Sequence, residues 1–222
     1  MEKENKVNSK IDFISFLKLF DKSKLSGRDA HIKLSPTKDG KLIRSFLPTE
    51  DAKQAAVLLL LYNDIKKNEI NLMFTFRSEN LKSHSSQISF PGGMIENNVS
   101  LEETALLETF EEIGIEKRKI EILLSLTDLF VPPSNFIIYP FVGYIDELPE
   151  LKINTEEVMQ AFSIPLDYFI ENSVLKSSES SYNGLKFDYL YWDIGMKSPL
   201  WGATAMILQE FLELYQLYLS EK

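Results

Sequence analysis

Glu108, Glu111 and Glu112 are the side chains in this chain best placed by type and spacing to do chemistry. On a helix they span about 100° of one face. No Lys or Arg occurs from Ser83 to Glu116 to neutralise them, and Glu96, Glu102, Glu103 and Glu116 crowd the same stretch. Like charges at i,i+4 on a helix repel by about 0.2–0.5 kcal/mol per pair. One reading is a plain solvated acidic face. The other is a divalent-cation site, because hard cations such as Mg2+ or Mn2+ take carboxylate oxygens and water. Two features favour the cation. Pro91-Gly92-Gly93 precedes the helix, and glycines let backbone approach a ligand closely. A buried-looking strand follows it at once, so the helix is packed into a domain.

The elements that must position these residues can be read from periodicity and caps. Ser100 with Glu103 fits a capping box, Glu102 and Glu103 lie in the favourable first turn, and Gly114 stands where a C-terminal glycine belongs. The helix is therefore expected over Leu101–Ile113, with Leu106, Phe110 and Ile113 within about 60° of one another on the core face. "IDFISFLKLF" (11–20) predicts a short amphipathic helix, and the following residues, to about 54, predict loop with at most one strand. "AAVLLLLY" reads as a strand buried on both faces, and "INLMFTFR" as a second strand. The Ser-rich "SENLKSHSSQ" leads into "ISF". Two more strands are expected around Pro132-Pro133, then a strand and a helical turn in "EEVMQAFSIPLDYFI". "LKFDYLYWDI" predicts a further strand, and "WGATAMILQEFLELYQLYL" a closing helix. Irregular alternation of strands and helices predicts one α/β domain with a mixed β-sheet between helices.

Composition narrows the function classes. The 222 residues, 44% hydrophobic, are ample for one sizeable core. A net charge of -9 argues against nucleic acid or an anionic membrane as the partner, though a local cation can still serve a phosphate ligand. With no cysteine, disulfides, thiol catalysis and zinc–thiolate sites are excluded; having only His31 and His84 argues against a histidine-built zinc site. The charged N-terminus carries no secretory apolar run, and no stretch approaches the roughly 20 apolar residues that span a bilayer. A cytoplasmic protein is expected.

The stretch from Gly93 resembles the Nudix box: a Gly, five residues, Glu, seven residues, then Arg-Glu, an aliphatic, any residue, Glu-Glu, any residue, Gly and an aliphatic. Gly93, Glu108, Glu111, Glu112, Gly114 and Ile115 fall on its positions. Val99 stands where the pattern has its first Glu, Leu107 where it has Arg, and Thr109 where it has an aliphatic. Upstream, "LMFTFRSENLKSHSSQISFPGG" is similar to the extended signature of the coenzyme A pyrophosphatase branch of that superfamily. Thr75, Arg77, Ser78, Gln87, Ser89, Phe90, Pro91, Gly92 and Gly93 match it, while Lys82 replaces a second Arg and Ser86 a Gly. Later stretches, "PPSNFIIYPFVGYI", "EEVMQAFSIPL" and "WGATAMIL", keep its order, and the likeness covers about residues 25–215.

That resemblance implies a Nudix-type α/β/α sandwich over residues 51–222, with residues 1–50 as an N-terminal helix and extension. It implies a metal-dependent pyrophosphohydrolase using Mg2+ or Mn2+ on coenzyme A or an acyl derivative, giving 3′,5′-ADP and a phosphopantetheine. Glu108, Glu111 and Glu112 are then metal ligands, joined by the Gly93 carbonyl. Glu108 and Glu111 also count as catalytic, and Glu157 is the candidate general base. Arg77, Lys82, Ser89 and Phe90 are the candidate substrate-binding residues. The implied partner is a small-molecule nucleoside diphosphate, with no nucleic acid and no membrane; a homodimer is one arrangement left open. The losses at Leu107 and Val99 keep two alternatives in play. One is a degenerate member that binds a nucleotide or a protein without efficient turnover. The other is a hydrolase of a different nucleoside diphosphate such as ADP-ribose.

Overall fold

Two strands that start as neighbours and then splay apart shape this molecule. A computed structural model describes residues 13–64, 66–67, 69–78, 87–96, 98–171, 175–182 and 184–221. Its helices are α1 (13–19), α2 (Arg28–Lys33), α3 (Leu101–Ile113), α4 (Leu166–Glu171) and α5 (Gly202–Ser220). Before α3 come β1 (Thr37–Lys38), β2 (Lys41–Leu42), β3 (Lys53–Asp64), β4 (Glu69–Arg77), β5 (Ile88–Ser89) and β6 (Gly92–Met94). After it come β7 (Glu121–Ser125), β8 (Leu129–Val131), β9 (Phe136–Ile145) and β10 (Val158–Pro165). The last strands are β11 (Lys176–Tyr182), β12 (Leu185–Trp192) and β13 (Leu200–Trp201).

The main sheet runs β10-β4-β3-β9-β7, with β5 on β4, β6 on β3 and β8 on β9. β3 and β9 are parallel and the other neighbours antiparallel, so the sheet is mixed as expected. β3 pairs with β4 only where Leu61–Asp64 face Glu69–Leu72. Beyond that point the two diverge. β4 pairs instead with β5, and β3 with β6, so the Phe90-Pro91 turn is driven into the fork between them.

Period-two alternation explains why β3 can be apolar throughout. Ala56, Leu58, Leu60 and Tyr62 pack under α3 with Met73, Ala105, Leu106 and Ile113. Leu59 and Leu61 face the other way, toward Leu72, Phe74, Ile207, Phe211 and Leu214 in the core beneath α5. Each leucine so buried stabilises the fold by about 1.5–3 kcal/mol. The described N-terminal residues join that second core. The Phe13 ring lies 4.8 Å from Tyr215 and 4.9 Å from Tyr218 on α5. A smaller sheet, β11-β12-β1-β2 with β13 on β12, completes the fold. No helix among the described residues is long and apolar enough to cross a membrane.

The structure departs from the expected elements in several places, the short β6 and β13 among them. The segment expected as loop up to residue 54 carries α2 as well as β1 and β2. Three strands, not two, surround Pro132-Pro133, because β8 folds back on β9 as a hairpin. β11 is polar and was not foreseen; it is held by its full antiparallel register with β12, not by burial. The Ser-rich segment 79–86 lies outside the described residues.

α2 is fastened by a buried carboxylate. Glu210 on α5 is fully buried and accepts from Thr127 Oγ1 at 2.7 Å and Thr127 N at 3.2 Å, with His31 Nε2 of α2 also at 3.2 Å. This joins α2, α5 and the β7–β8 connection around one acceptor. Glu210→Ala strips all three donors of their partner at once. It is expected to lower stability by about 3 kcal/mol, read as a lowered urea midpoint at unchanged m-value.

Candidate active site

The glycines of the fork make room for acids. Gly92 and Gly93 on β6 pair with Val57 and Ala56 on β3, directly under α3. A Cβ added at Gly92 would meet the Ala56 carbonyl and lie 2.7 Å from Val57 Cα; one at Gly93 would overlap the Glu108 carboxyl group. The missing side chain at Gly93 leaves space between helix and strand that the Glu108 carboxyl fills, while its absence at Gly92 lets β6 lie close against β3. Glu112 is 1% exposed, and its Oε2 accepts from Gly92 N at 3.3 Å.

α3 is aligned by its ends. Ser100 caps the first turn by accepting from Glu103 N at 3.2 Å. Glu103 itself forms an ion pair with Lys117. Gly114 takes the left-handed conformation that ends the helix, φ 78°. The last carbonyls, orphaned in any helix, are claimed by one loop: Lys152 N donates to Ile113 O and Asn154 N to Glu112 O, both at 3.0 Å. That loop carries Glu157. The Glu157 carbonyl accepts from Ser78 N at 2.8 Å, and its Oε1 accepts from Asn154 Nδ2 at 3.2 Å. Just beyond, the register of β10 on β4 slips at Met159, a bulge beside the site.

Glu108, Glu112 and Glu157 therefore converge, each offering an oxygen within 4.8 Å of the others. Arg77, at the end of β4, places Nη1 3.5 Å from Glu112 Oε1. Burial pushes Glu112 up to about 8, against the pull of Arg77 and with Glu108 and Glu157 adding to the rise. Burial likewise raises Glu108 to about 7, helped by the charges of Glu111 and Glu157. Three converging hard oxygen donors, two of them (Glu108 and Glu112) holding protons abnormally well, are a donor set that a divalent cation displaces protons from. The residues present fit such an ion.

The placement differs from the sequence reading at several residues. Phe110, expected on the core face, is 48% exposed, while Glu112, expected on the open face, is buried. Leu106 and Ile113 are buried as expected; counting carboxylates as solvent-seeking misplaces Phe110 and Glu112, and Thr109 lies inside, its hydroxyl satisfied by Ala105 O at 2.7 Å. Glu111 points outward and is not one of the three converging acids, though its charge reaches Glu108. Gly93 lies against Glu108. Phe90, expected to bind substrate, is 2% exposed and its ring is 5.1 Å from that of Phe74 in the core under α5. It wedges the fork between β3 and β4. Ser89 is engaged by Thr75, Oγ to Oγ1 at 3.0 Å. Lys82 lies outside the described residues. Val99 and Leu107 are both partly exposed, and Glu96, near Val99, adds a small share to the rise at Glu108. The contact from Arg77 to Glu112 was not foreseen. The lack of any basic residue from Ser83 to Glu116 was the available signal that a cation must come from another element.

Two outcomes test this geometry. The nearest atoms a Gly93→Ala methyl meets are the movable end of Glu108, so stability is expected to change by less than about 1 kcal/mol, while the Glu108 carboxyl is displaced and any metal-dependent activity falls at least about tenfold. The second concerns pH. Unfolded, Glu108 and Glu112 release protons near 4.5; folded, they keep them to about 7 and about 8. The folded state thus binds more protons across that interval, and metal-free protein loses stability as pH rises from about 4.5 to 8. Thermal melts in EDTA should show this decline, flatter in Glu112→Gln, with added Mn2+ raising Tm more at pH 8 than at pH 6.

A family model described as NUDIX domain matches residues 52–180, more than half of the chain. Nudix hydrolase 3 of Caenorhabditis elegans is 32% identical over 159 residues, covering 65% of this chain and 66% of the relative. A Nudix hydrolase NudL of Photorhabdus laumondii is 31% identical over 170 residues, covering 76% and 88%. Peroxisomal coenzyme A diphosphatase NUDT7 of Mus musculus is 30% identical over 141 residues, covering 63% and 58%. The chain thus spans under two thirds of the nematode and mouse relatives. Among solved structures, a MutT/nudix family protein from Enterococcus faecalis has TM-score 0.51 at 16% identity, over 78% of this chain and 66% of that one. The M. smegmatis Nudix hydrolase RenU has 0.52 at 11%, over 81% and 98%. These two speak to the fold alone.

Proposed function

Because the chain belongs to the Nudix hydrolase family, we propose that it is a pyrophosphohydrolase acting on the diphosphate of coenzyme A or an acyl-coenzyme A. The products are 3′,5′-ADP and a phosphopantetheine. The observation that carries the reading is the convergence of Glu108, Glu112 and Glu157 within 4.8 Å at the fork. The substrate class is supported by the relatives named coenzyme A diphosphatase in mouse and in C. elegans, 30% and 29% identical. The hydrolase domain is taken as residues 51–222, with residues 1–50 as its extension.

In this reading Glu112 and Glu108 hold a divalent cation, Mg2+ or Mn2+, with Glu111 at the rim. Such an ion supplies Lewis-acid polarisation of phosphoryl oxygens and a bound water of lowered pKa. The chain's own residues do the rest. Gly92 N–H fixes the Glu112 carboxylate, and Gly93 allows Glu108 to lie against β6. Glu157 is the general base. With Oε1 accepting from Asn154, its Oε2 takes a proton as a water oxygen bonds to phosphorus and the anhydride P–O bond breaks. Leu107 and the outward Glu111 favour one second reading, a chain that binds the diphosphate without efficient turnover.

Purified protein given coenzyme A with Mg2+ or Mn2+, and products resolved by chromatography and mass, decides between them. The expected outcome is 3′,5′-ADP with 4′-phosphopantetheine, and a loss of roughly a hundredfold or more in kcat for Glu112→Gln. Binding of coenzyme A without cleavage would establish the second reading, and cleavage of ADP-ribose alone would move the substrate class.

A further inference from the structure

α3 brings no positive charge to its own acids, and Leu107 stands where an arginine of the Nudix pattern would be. We propose that Arg77, delivered from the end of β4, is the positioning cation of the carboxylate cluster, doing from the sheet what Leu107 does not do from the helix. It is a positioning residue, not the phosphate ligand its sequence context suggests.

The geometry of Arg77 favours this over a phosphate-binding role. Its Nη1 is 3.5 Å from the Oε1 of the most buried of the three acids. Its side chain is 25% exposed, and its Nε is buried with no acceptor. The ion pair the structure gives this guanidinium is with Glu112, a carboxylate of the cluster itself. Its backbone is also held on both sides. Arg77 N donates to Gln87 O at 3.0 Å, and Arg77 pairs with Val158 of β10. The next residue, Ser78, holds the Glu157 carbonyl. One strand end thus sets both the cation against Glu112 and the backbone of Glu157. Two neighbouring members of the cluster are referenced to the same rigid element, which is what a carboxylate set needs to keep its spacing. Among the described residues, Glu112 is the carboxylate with which Arg77 pairs.

The activity arm of the test rests on the pyrophosphohydrolase reading; the metal-free arm does not. In EDTA at pH 8, Arg77→Met is expected to lower Tm by about 3–6 °C, and by less than about 1 °C when Glu112→Gln is already present, because the two residues act as a pair. Arg77→Lys keeps the charge and should recover at least half of the loss. If the methionine variant does not fold, the lysine variant carries the same comparison, its smaller loss vanishing in the Glu112→Gln background. In turnover of coenzyme A, Arg77→Met should lower kcat by about 10–100-fold with KM changed less than about threefold. A KM raised tenfold or more at unaltered kcat, or a metal-free Tm loss that is the same with and without Glu112, would overturn the proposal. Absence of turnover in the wild type would strike the functional reading while leaving the metal-free comparison to stand or fall alone.

Discussion

Everything at the candidate site depends on the contact between α3 and two glycines. Where β3 and β4 part, the sheet would ordinarily close with side chains between strand and helix. Gly93 leaves that layer empty, and Gly92 lets β6 lie close against β3. α3 comes down on the gap with Glu108 and Glu112 instead of apolar residues, and the Gly92 amide provides the hydrogen bond that a buried carboxylate requires. A side chain at position 92 would run into β3 backbone, and one at 93 would expel Glu108. Backbone proximity and acid placement are one constraint seen from two sides.

That arrangement is electrostatically unfavourable, and the fold spreads the cost. Taking a carboxylate from water costs several kcal/mol before compensation. Glu112 retains one amide and one guanidinium, and Glu108 is driven up by burial and by its acidic neighbours. Against this stand two apolar layers: Leu58 and Leu60 beneath α3, and Leu59 and Leu61 against the α5 core, each fully buried. β3 is thus the common element. Its alternating leucines supply stability to both faces, and its other half carries the strand on which the strained cluster rests. Local unfavourable electrostatics at functional sites is an ordinary pattern, and here a single strand links that cost to the surplus that offsets it.

Much of this was legible beforehand, for physical reasons. Helix caps are local, so Ser100 and Gly114 mark α3 to its observed ends. An unbroken apolar run flanked by polar turns implies a strand covered on both faces, and β3 is one. The misreadings have a shared cause. A polarity pattern assigns acids to solvent, which sends Phe110 inward and Glu112 outward, the reverse of their placement. Tertiary pairs are equally invisible: the contacts of His31 with Glu210, 179 residues away, and of Arg77 with Glu112 carry no local signature. Phe90 adjoins the site in sequence yet lies on the opposite face of the sheet, because successive residues at the fork turn to opposite cores.

The departure at Leu107 then takes a different meaning. On α3 it sits about 100° from Glu108, away from the sheet, and it is partly exposed without belonging to either core. An arginine there would reach the rim acids Glu103 and Glu111 one turn either way, the first of which already has Lys117. The acid most in need of a cation is Glu112, on the buried side. The strand end at Arg77 reaches it from the sheet, on the side of the helix away from Leu107. A substitution that looks like decay in a linear pattern is, in three dimensions, a loss at the rim of a site whose buried charge is met from beneath.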